Sequence, residues 1–125
     1  MADLKRVLVA EDDMFLNKVY ALALQKEGFE VEFVKDGTET LTAIARQKPT
    51  LLLLDLVMPV MDGFAVLEKL RANPETKELK IIVLSNLGQD DDMKAIEQYH
   101  VLDYVIKSNT HINEIVEKIK KVLSA

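Results

Sequence analysis

The stretch Leu51-Leu52-Leu53-Leu54-Asp55 places four consecutive leucines directly before a carboxylate. A short, uninterrupted apolar run predicts a strand that is buried on both faces, as in a parallel sheet. A charge at the end of such a strand is costly to bury unless it has a partner. The stretch therefore predicts a central strand, with Asp55 at its carboxyl end.

Four further apolar runs, at residues 7–10, 29–34, 81–84 and 102–106, are separated by segments of helical period. The run at 29–34 alternates apolar with acidic residues, which is typical of a strand nearer the edge of a sheet. Strand and helix alternate five times, with no Pro-, Gly- or Ser-rich linker long enough to divide the chain. We therefore predict one α/β domain over residues 1–125, a doubly wound parallel sheet of five strands with five helices on both faces.

The composition narrows the possible classes of protein. The chain has 125 residues, of which 49% are hydrophobic and 30% charged, as expected for one globular domain. The absence of cysteine excludes disulfides, thiolate metal sites and a cysteine nucleophile. A net charge of −5 argues against direct binding of nucleic acid. No apolar run approaches the ~20 residues of a membrane span, and with no signal-peptide pattern we expect a cytoplasmic protein.

Polar side chains stand where the predicted strands end. Glu11 and Asp12 follow the first strand, Asp55 the third, Ser85 the fourth and Lys107 the fifth. In open parallel sheets, ligands bind beyond the carboxyl ends of the strands. Two carboxylates ~4 Å apart repel by roughly 4 kcal/mol at an effective dielectric near 20, so this cluster needs a cation. Lys107 can supply one positive charge, and carboxylate oxygens without His or Cys favour Mg²⁺ or Mn²⁺.

Each of these residues also has an ordinary structural explanation. Asp12 or Asp13 could cap the first helix. Ser85 could be a satisfied loop hydroxyl, and Lys107 could be a surface lysine with a buried stem. The coincidence of acid, hydroxyl and amine at successive strand ends favours a shared site.

Four segments, in this order and at this spacing, resemble the receiver domain of two-component response regulators. They are Val7-Leu-Val-Ala-Glu-Asp-Asp13, Leu54-Asp-Leu-Val-Met-Pro-Val-Met-Asp-Gly63, Ile82-Val-Leu-Ser85 and Asp103-Tyr-Val-Ile-Lys107. The resemblance implies a flavodoxin-like sheet in the order 2-1-3-4-5. It also implies a phosphorylation-activated switch, in which a sensor histidine kinase or histidine phosphotransfer protein donates a phosphoryl group and a downstream protein reads the result.

The resemblance also assigns roles to individual residues, and all of these roles are expectations. Asp55 would accept the phosphoryl group, and Lys107 and Ser85 would contact phosphoryl oxygens after transfer. Ser85 and Tyr104 would act as the switch pair. The metal ligands would be Asp12, Asp55, the backbone carbonyl of Val57 and, through water, Glu11.

Three positions depart from the commonest family pattern. Ser108 follows Lys107 where proline is usual, which leaves the geometry of that peptide open. Asn86 stands where a small residue is usual, and Tyr99-His100-Val101 stands where a Gly-Ala pair is common. We expect Val57 and Asn86 to control access of water to the site and the fourth helix to end differently.

Three other functions would suit a chain of this fold. A flavin module would need a phosphate-binding loop after the first strand, where Glu11 and Asp12 stand. An aspartyl phosphatase would resemble an Asp-x-Asp motif, but Val57 fills the second place. The third alternative is a receiver-like interaction domain that does not use phosphorylation, and it remains an alternative on the sequence alone. We expect no enzymatic activity beyond the chain's own phosphorylation and dephosphorylation, in either a stand-alone regulator or a receiver from a longer protein.

Overall fold

The structure is a computed structural model that describes residues 5–85, 90–107 and 110–123. Five parallel strands form one sheet in the order β2-β1-β3-β4-β5. The elements in chain order are β1 (Arg6–Ala10), α1 (Met14–Lys26), β2 (Glu30–Val34), α2 (Gly37–Arg46), β3 (Leu51–Asp55), α3 (Gly63–Ala72), β4 (Lys80–Ser85), α4 (Asp90–Glu97), β5 (Asp103–Ile106) and α5 (Ile112–Leu123). The predicted fold and strand order are confirmed.

The central strands are buried on both faces, as their apolar runs predict. Successive side chains of a strand point to opposite faces, so β1, β3 and β4 each contribute to two separate cores. Helices α2, α3 and α4 complete the first core, and α1 and α5 complete the second. The residues that β1, β3 and β4 contribute are Leu8, Ala10, Leu52, Leu54, Ile81 and Val83 in the first core, and Val7, Val9, Leu51, Leu53, Ile82 and Leu84 in the second.

The register of the sheet brings the strand ends together. Ala10 pairs with Leu54, so the residues that follow β1 lie beside the end of β3. Asp55 pairs with Leu84, and Ser85 pairs with Ile106. The ends of β1, β3, β4 and β5 therefore meet at one edge of the sheet. Asn86 and Ser108 lie outside the described residues.

Two residues with a positive φ angle follow the ends of helices. Gly28, at φ +92°, follows α1, and the next amide, from Phe29, donates to the Leu24 carbonyl at 3.2 Å. His100 follows the last turn of α4 at φ +55° and occupies a conformation that glycine adopts more easily. The guanidinium of Arg71 donates to the carbonyl of Tyr99 at 2.7 Å and thereby ties this turn to α3.

No helix in the described ranges combines the length and the apolar character needed to cross a membrane.

Candidate functional site

Asp55 is the last residue of β3, and its side chain is almost completely buried. Each of its carboxylate oxygens accepts a hydrogen bond. Oδ1 accepts from the amide of Val57 at 3.1 Å, and Oδ2 accepts from the Nζ of Lys107 at 3.1 Å. The predicted need for a partner is therefore met by a cation from the end of β5.

Lys107 also donates to Glu11, with 2.8 Å between Nζ and Oε2. One ammonium group thus contacts two buried carboxylates, and the Lys107 side chain is itself only 8% exposed. Burial would lower the pKa of Lys107, but the hydrogen bond to Glu11 and the negative charge of Asp55 raise it above its ordinary value. Lys107 is therefore a buried cation and not a surface lysine.

The pKa of the Glu11 carboxyl group lies above the ordinary value for glutamate. Its pKa is raised from 4.5 to about 7, mainly by burial and also by the nearby charge of Asp55, while Lys107 opposes both effects. Its other oxygen, Oε1, accepts from the amide of Asp13 at 3.1 Å. The site therefore holds a carboxyl group that titrates near neutral pH.

Carboxylate oxygens of Glu11, Asp12 and Asp55 lie within 4.8 Å of one another. Asp13 is the residue that caps α1, accepting from the amides of Phe15 at 3.0 Å and Leu16 at 3.2 Å. Asp12 does not perform this role, and its side chain is exposed beside the two buried carboxylates. An all-oxygen cluster with one accessible member fits the ligand preference of Mg²⁺ or Mn²⁺.

The cluster opens into a cleft with a volume of about 430 Å³. Its lining consists of the acidic residues, Lys107 and two apolar side chains, one from α1 and one from the loop after β3. Val57 is 60% exposed at its rim, in the position where the sequence predicts a control on water access. The lining residues are Glu11, Asp12, Asp13, Leu16, Asp55, Val57 and Lys107.

The two predicted switch residues lie on adjacent strands. Ser85 ends β4 and is buried, with only 1% of its surface exposed. Tyr104 lies in β5, where it pairs with Val83 of β4. Its side chain is half-buried and packs against the first core, to which α4 contributes. It also lines a groove of about 340 Å³ together with Met93 and Ile96 of α4. The switch roles remain predictions.

The loop that leads from β3 to α3 is closely packed and strained. A Cβ added at Gly63 would lie 2.6 Å from the carbonyl oxygen of Asp55, so only glycine fits there without a shift. Met61 donates its amide to the carbonyl of Pro59 at 2.7 Å, and Val60 between them adopts φ +68°. A β-branched residue is a marked outlier in this region. The site is thus flanked by a loop that holds strain.

Asn17 is a residue of the site that the sequence interpretation missed. It is completely buried in α1, and its Nδ2 donates to the backbone carbonyl of Glu11 at 2.8 Å. The available signal was an asparagine in an amphipathic helix, at a position that shares a face with Tyr20 and Leu24. Asparagine is a weak helix former, so its presence on a buried stripe indicates a specific hydrogen bond.

Comparison with known proteins gives a consistent result. The family model described as response regulator receiver domain matches residues 7–120. DNA-binding response regulator MtrA of Mycobacterium tuberculosis is 42% identical over 103 residues, covering 82% of this chain and 44% of that protein. The chain spans about half the length of the curated relatives it matches.

Two solved structures show the same fold at comparable similarity. The phosphorylated cyanobacterial phytochrome response regulator RcpA is 28% identical with a TM-score of 0.86, covering 98% of this chain and 97% of that chain. The Mn²⁺-bound form of response regulator Rcp1 is 27% identical with a TM-score of 0.81, covering 94% of this chain and 92% of that chain.

Proposed function

Because this chain belongs to the receiver domain family of two-component response regulators, we propose that Asp55 is the phosphoryl acceptor of its phosphorylation-activated switch. We propose that residues 1–125 form this one domain. A single observation carries the proposal. The buried Asp55 carboxylate faces an open cleft, contacts a buried ammonium group and shares a cluster with two further carboxylates.

The proposed reaction transfers a phosphoryl group from a phosphohistidine to Asp55. A carboxylate oxygen of Asp55 forms the new P–O bond, the P–N bond of the donor breaks, and its electron pair returns to the histidine nitrogen. Charge in the loose transition state resides on the phosphoryl oxygens. Lys107, held 3.1 Å from Asp55, is placed to stabilise that charge. The product is an aspartyl phosphate.

The proposal includes a divalent metal ion bound by the acidic cluster. Asp12, Asp55 and the carbonyl of Val57 would hold it directly, with Glu11 acting through water. When bound, Mg²⁺ or Mn²⁺ neutralises carboxylate and phosphoryl oxygens. The 4.8 Å grouping of carboxylate oxygens and the Mn²⁺-bound form of the neighbour Rcp1 support this assignment.

The response to phosphorylation would be read through Ser85 and Tyr104. A phosphoryl group adds negative charge and strong acceptor oxygens at the end of β3. Ser85 ends the adjacent strand β4, and Tyr104 lies on the next strand, β5, where it packs against the first core and lines a groove with residues of α4. A movement of Ser85 towards the phosphoryl group would therefore change the packing of the β4, β5 and α5 face.

The partners follow from this scheme. The donor would be a sensor histidine kinase or a histidine phosphotransfer protein, and the reader would be a downstream protein, all in the cytoplasm. This chain would contact neither nucleic acid nor a membrane, although relatives such as MtrA are DNA-binding regulators. Its only catalysis would be its own phosphorylation and dephosphorylation.

The direct test is intact mass after incubation with a small-molecule phosphodonor and Mg²⁺. We expect one added phosphoryl group on the wild type, and none on Asp55→Asn or after chelation of the metal. Asp62→Asn is the matched control, because Asp62 caps α3 by accepting from the amide of Ala65 at 2.9 Å, and asparagine keeps that cap. Modification that persists in Asp55→Asn refutes the proposal. A wild type that takes up no phosphate favours an interaction domain that does not use phosphorylation.

A further inference from the structure

Asn17 is a fully buried polar residue, 0% exposed, in the first part of α1. Its Nδ2 donates two hydrogen bonds, to the carbonyl of Glu11 at 2.8 Å and to the carbonyl of Val34 at 3.0 Å. The amide of Glu11 donates to the same Val34 carbonyl at 3.1 Å. One side chain therefore connects the acidic turn after β1 with the end of β2.

The turn held by Asn17 carries a concentration of negative charge. Glu11, Asp12 and Asp13 are consecutive, and the Asp55 carboxylate lies close to the first two. Repulsion among these groups favours any rearrangement that separates them. The hydrogen bond to the Glu11 backbone opposes such a rearrangement without occupying any carboxylate oxygen, so the carboxylates stay available to a cation.

Helix propensity and apolar packing do not account for asparagine at this position. Its Oδ1 is buried without a hydrogen-bond partner among the described residues, and an unsatisfied buried polar atom destabilises a fold by about 1–3 kcal/mol. Leucine forms helices better and has no polar atom of its own to satisfy, but it would leave the Glu11 carbonyl without the Asn17 donor. What leucine cannot supply is the pair of donated hydrogen bonds to the turn.

We infer that Asn17 is a positioning residue for the divalent metal site. It acts through the backbone of Glu11, holding the turn so that Glu11 and Asp12 face the same cation as Asp55. The inference rests on the proposed function, because it concerns the affinity of that site for its metal. Partners that orient metal ligands from outside the coordination sphere commonly change metal affinity by about 10- to 100-fold when removed.

The test is calorimetric titration of Mg²⁺ into the folded wild type and three variants without phosphodonor. Asn17→Leu removes both donors, and we expect its Kd for Mg²⁺ to rise about tenfold. Asn17→Gln keeps the amide on a longer stem, and we expect a smaller rise. Thr76→Val is the matched control, since it deletes a buried hydrogen bond of 2.7 Å to the Leu70 carbonyl before the start of β4. We expect it to lower stability to urea and to leave the Kd unchanged.

The outcomes separate this inference from the proposed function. Wild type that binds no Mg²⁺ refutes the metal site and this inference together. Wild type that binds Mg²⁺, with an unchanged Kd in folded Asn17→Leu, refutes only the role of Asn17. If Asn17→Leu does not fold, Asn17→Ser takes its place with the same expected direction, because it keeps at most one donor. An equal loss of affinity in Thr76→Val would also overturn the inference.

Discussion

The Nζ of Lys107 lies 2.8 Å from the Oε2 of Glu11. The same ammonium group reaches Asp55 at 3.1 Å, so one positive charge serves two carboxylates. Burial raises the pKa of Glu11, and the negative charge of Asp55 adds to the rise. With one ammonium group for its carboxylates, the cluster is also short of cationic charge. Either a proton or a divalent cation can relieve that deficit, which makes metal affinity and stability depend on pH.

The first prediction concerns this pH dependence. The pKa of Glu11 is raised in the folded state from 4.5 to about 7, so its contribution to stability is complete below pH 4.5 and is lost as the pH rises through about 7. Mg²⁺ requires the ionised carboxylate. We therefore expect Mg²⁺ to raise the thermal midpoint more at pH 8 than at pH 6. The same measurement on Glu11→Gln should show a weaker dependence on pH, and an unchanged dependence would contradict the assignment to Glu11.

The second prediction separates reading of the phosphoryl group from binding of the metal. Lys107→Ala and Ser85→Ala should reduce the conformational response to beryllofluoride, because each removes a group expected to contact the phosphoryl oxygens. Amide chemical shifts around Tyr104, with and without the analogue, measure that response. Lys120→Ala is the control, since Lys120 of α5 pairs at 2.7 Å with Glu27 at the end of α1 and does not touch the site. A full wild-type response in both site variants would reject their assigned roles.

The third prediction concerns the lifetime of the aspartyl phosphate. Val57 is 60% exposed at the cleft and offers no hydrogen bond to an attacking water, so we expect slow hydrolysis. Val57→Asn should accelerate decay about tenfold, which corresponds to about 1.4 kcal/mol in the barrier. Leu22→Asn, at an apolar side chain that is 61% exposed on α1, is the control. Asn86→Ala should also accelerate decay. No acceleration in Val57→Asn, or slower decay in Asn86→Ala, would disprove these access roles.

The fourth prediction tests the strained loop. Val60 adopts φ +68° while its side chain is 83% exposed, so its branched side chain adds strain and little packing. Asparagine tolerates this region better, and Val60→Asn should raise the free energy of unfolding by about 1 kcal/mol. Urea denaturation measures the change. Val60→Thr stays β-branched and should differ from wild type by less than about 0.5 kcal/mol. Equal stabilisation by both variants would show that polarity, and not backbone strain, is responsible.

The fold and most of the site could be predicted because both depend on position along strands. An apolar run such as that of β3 has to be buried on both faces, and in parallel strands its last residue, Asp55, must meet the ends of its neighbours. The same reasoning located Glu11, Ser85 and Lys107 at one edge of the sheet. Pattern and topology were sufficient for these residues.

Side-chain partners could not be predicted in the same way. Sequence left open whether Asp12 or Asp13 caps α1, because both are good capping residues and the choice depends on the path of one turn. The pairing of Lys107 with Glu11 depends on rotamers across two strand ends. The role of Asn17 depends on carbonyl groups, which are present at every position and leave no trace in a sequence.

The most direct test of the account is chemical identification of the phosphorylated residue. Borohydride reduces an aspartyl phosphate to homoserine, and peptide mass mapping then shows where the conversion occurred. After incubation with phosphodonor and Mg²⁺, we predict homoserine at position 55 and at no other acidic residue, with none formed in the presence of chelator. Conversion at Asp12 or Asp13, or phosphate that survives reduction on the hydroxyl of Ser85, would contradict the central claim.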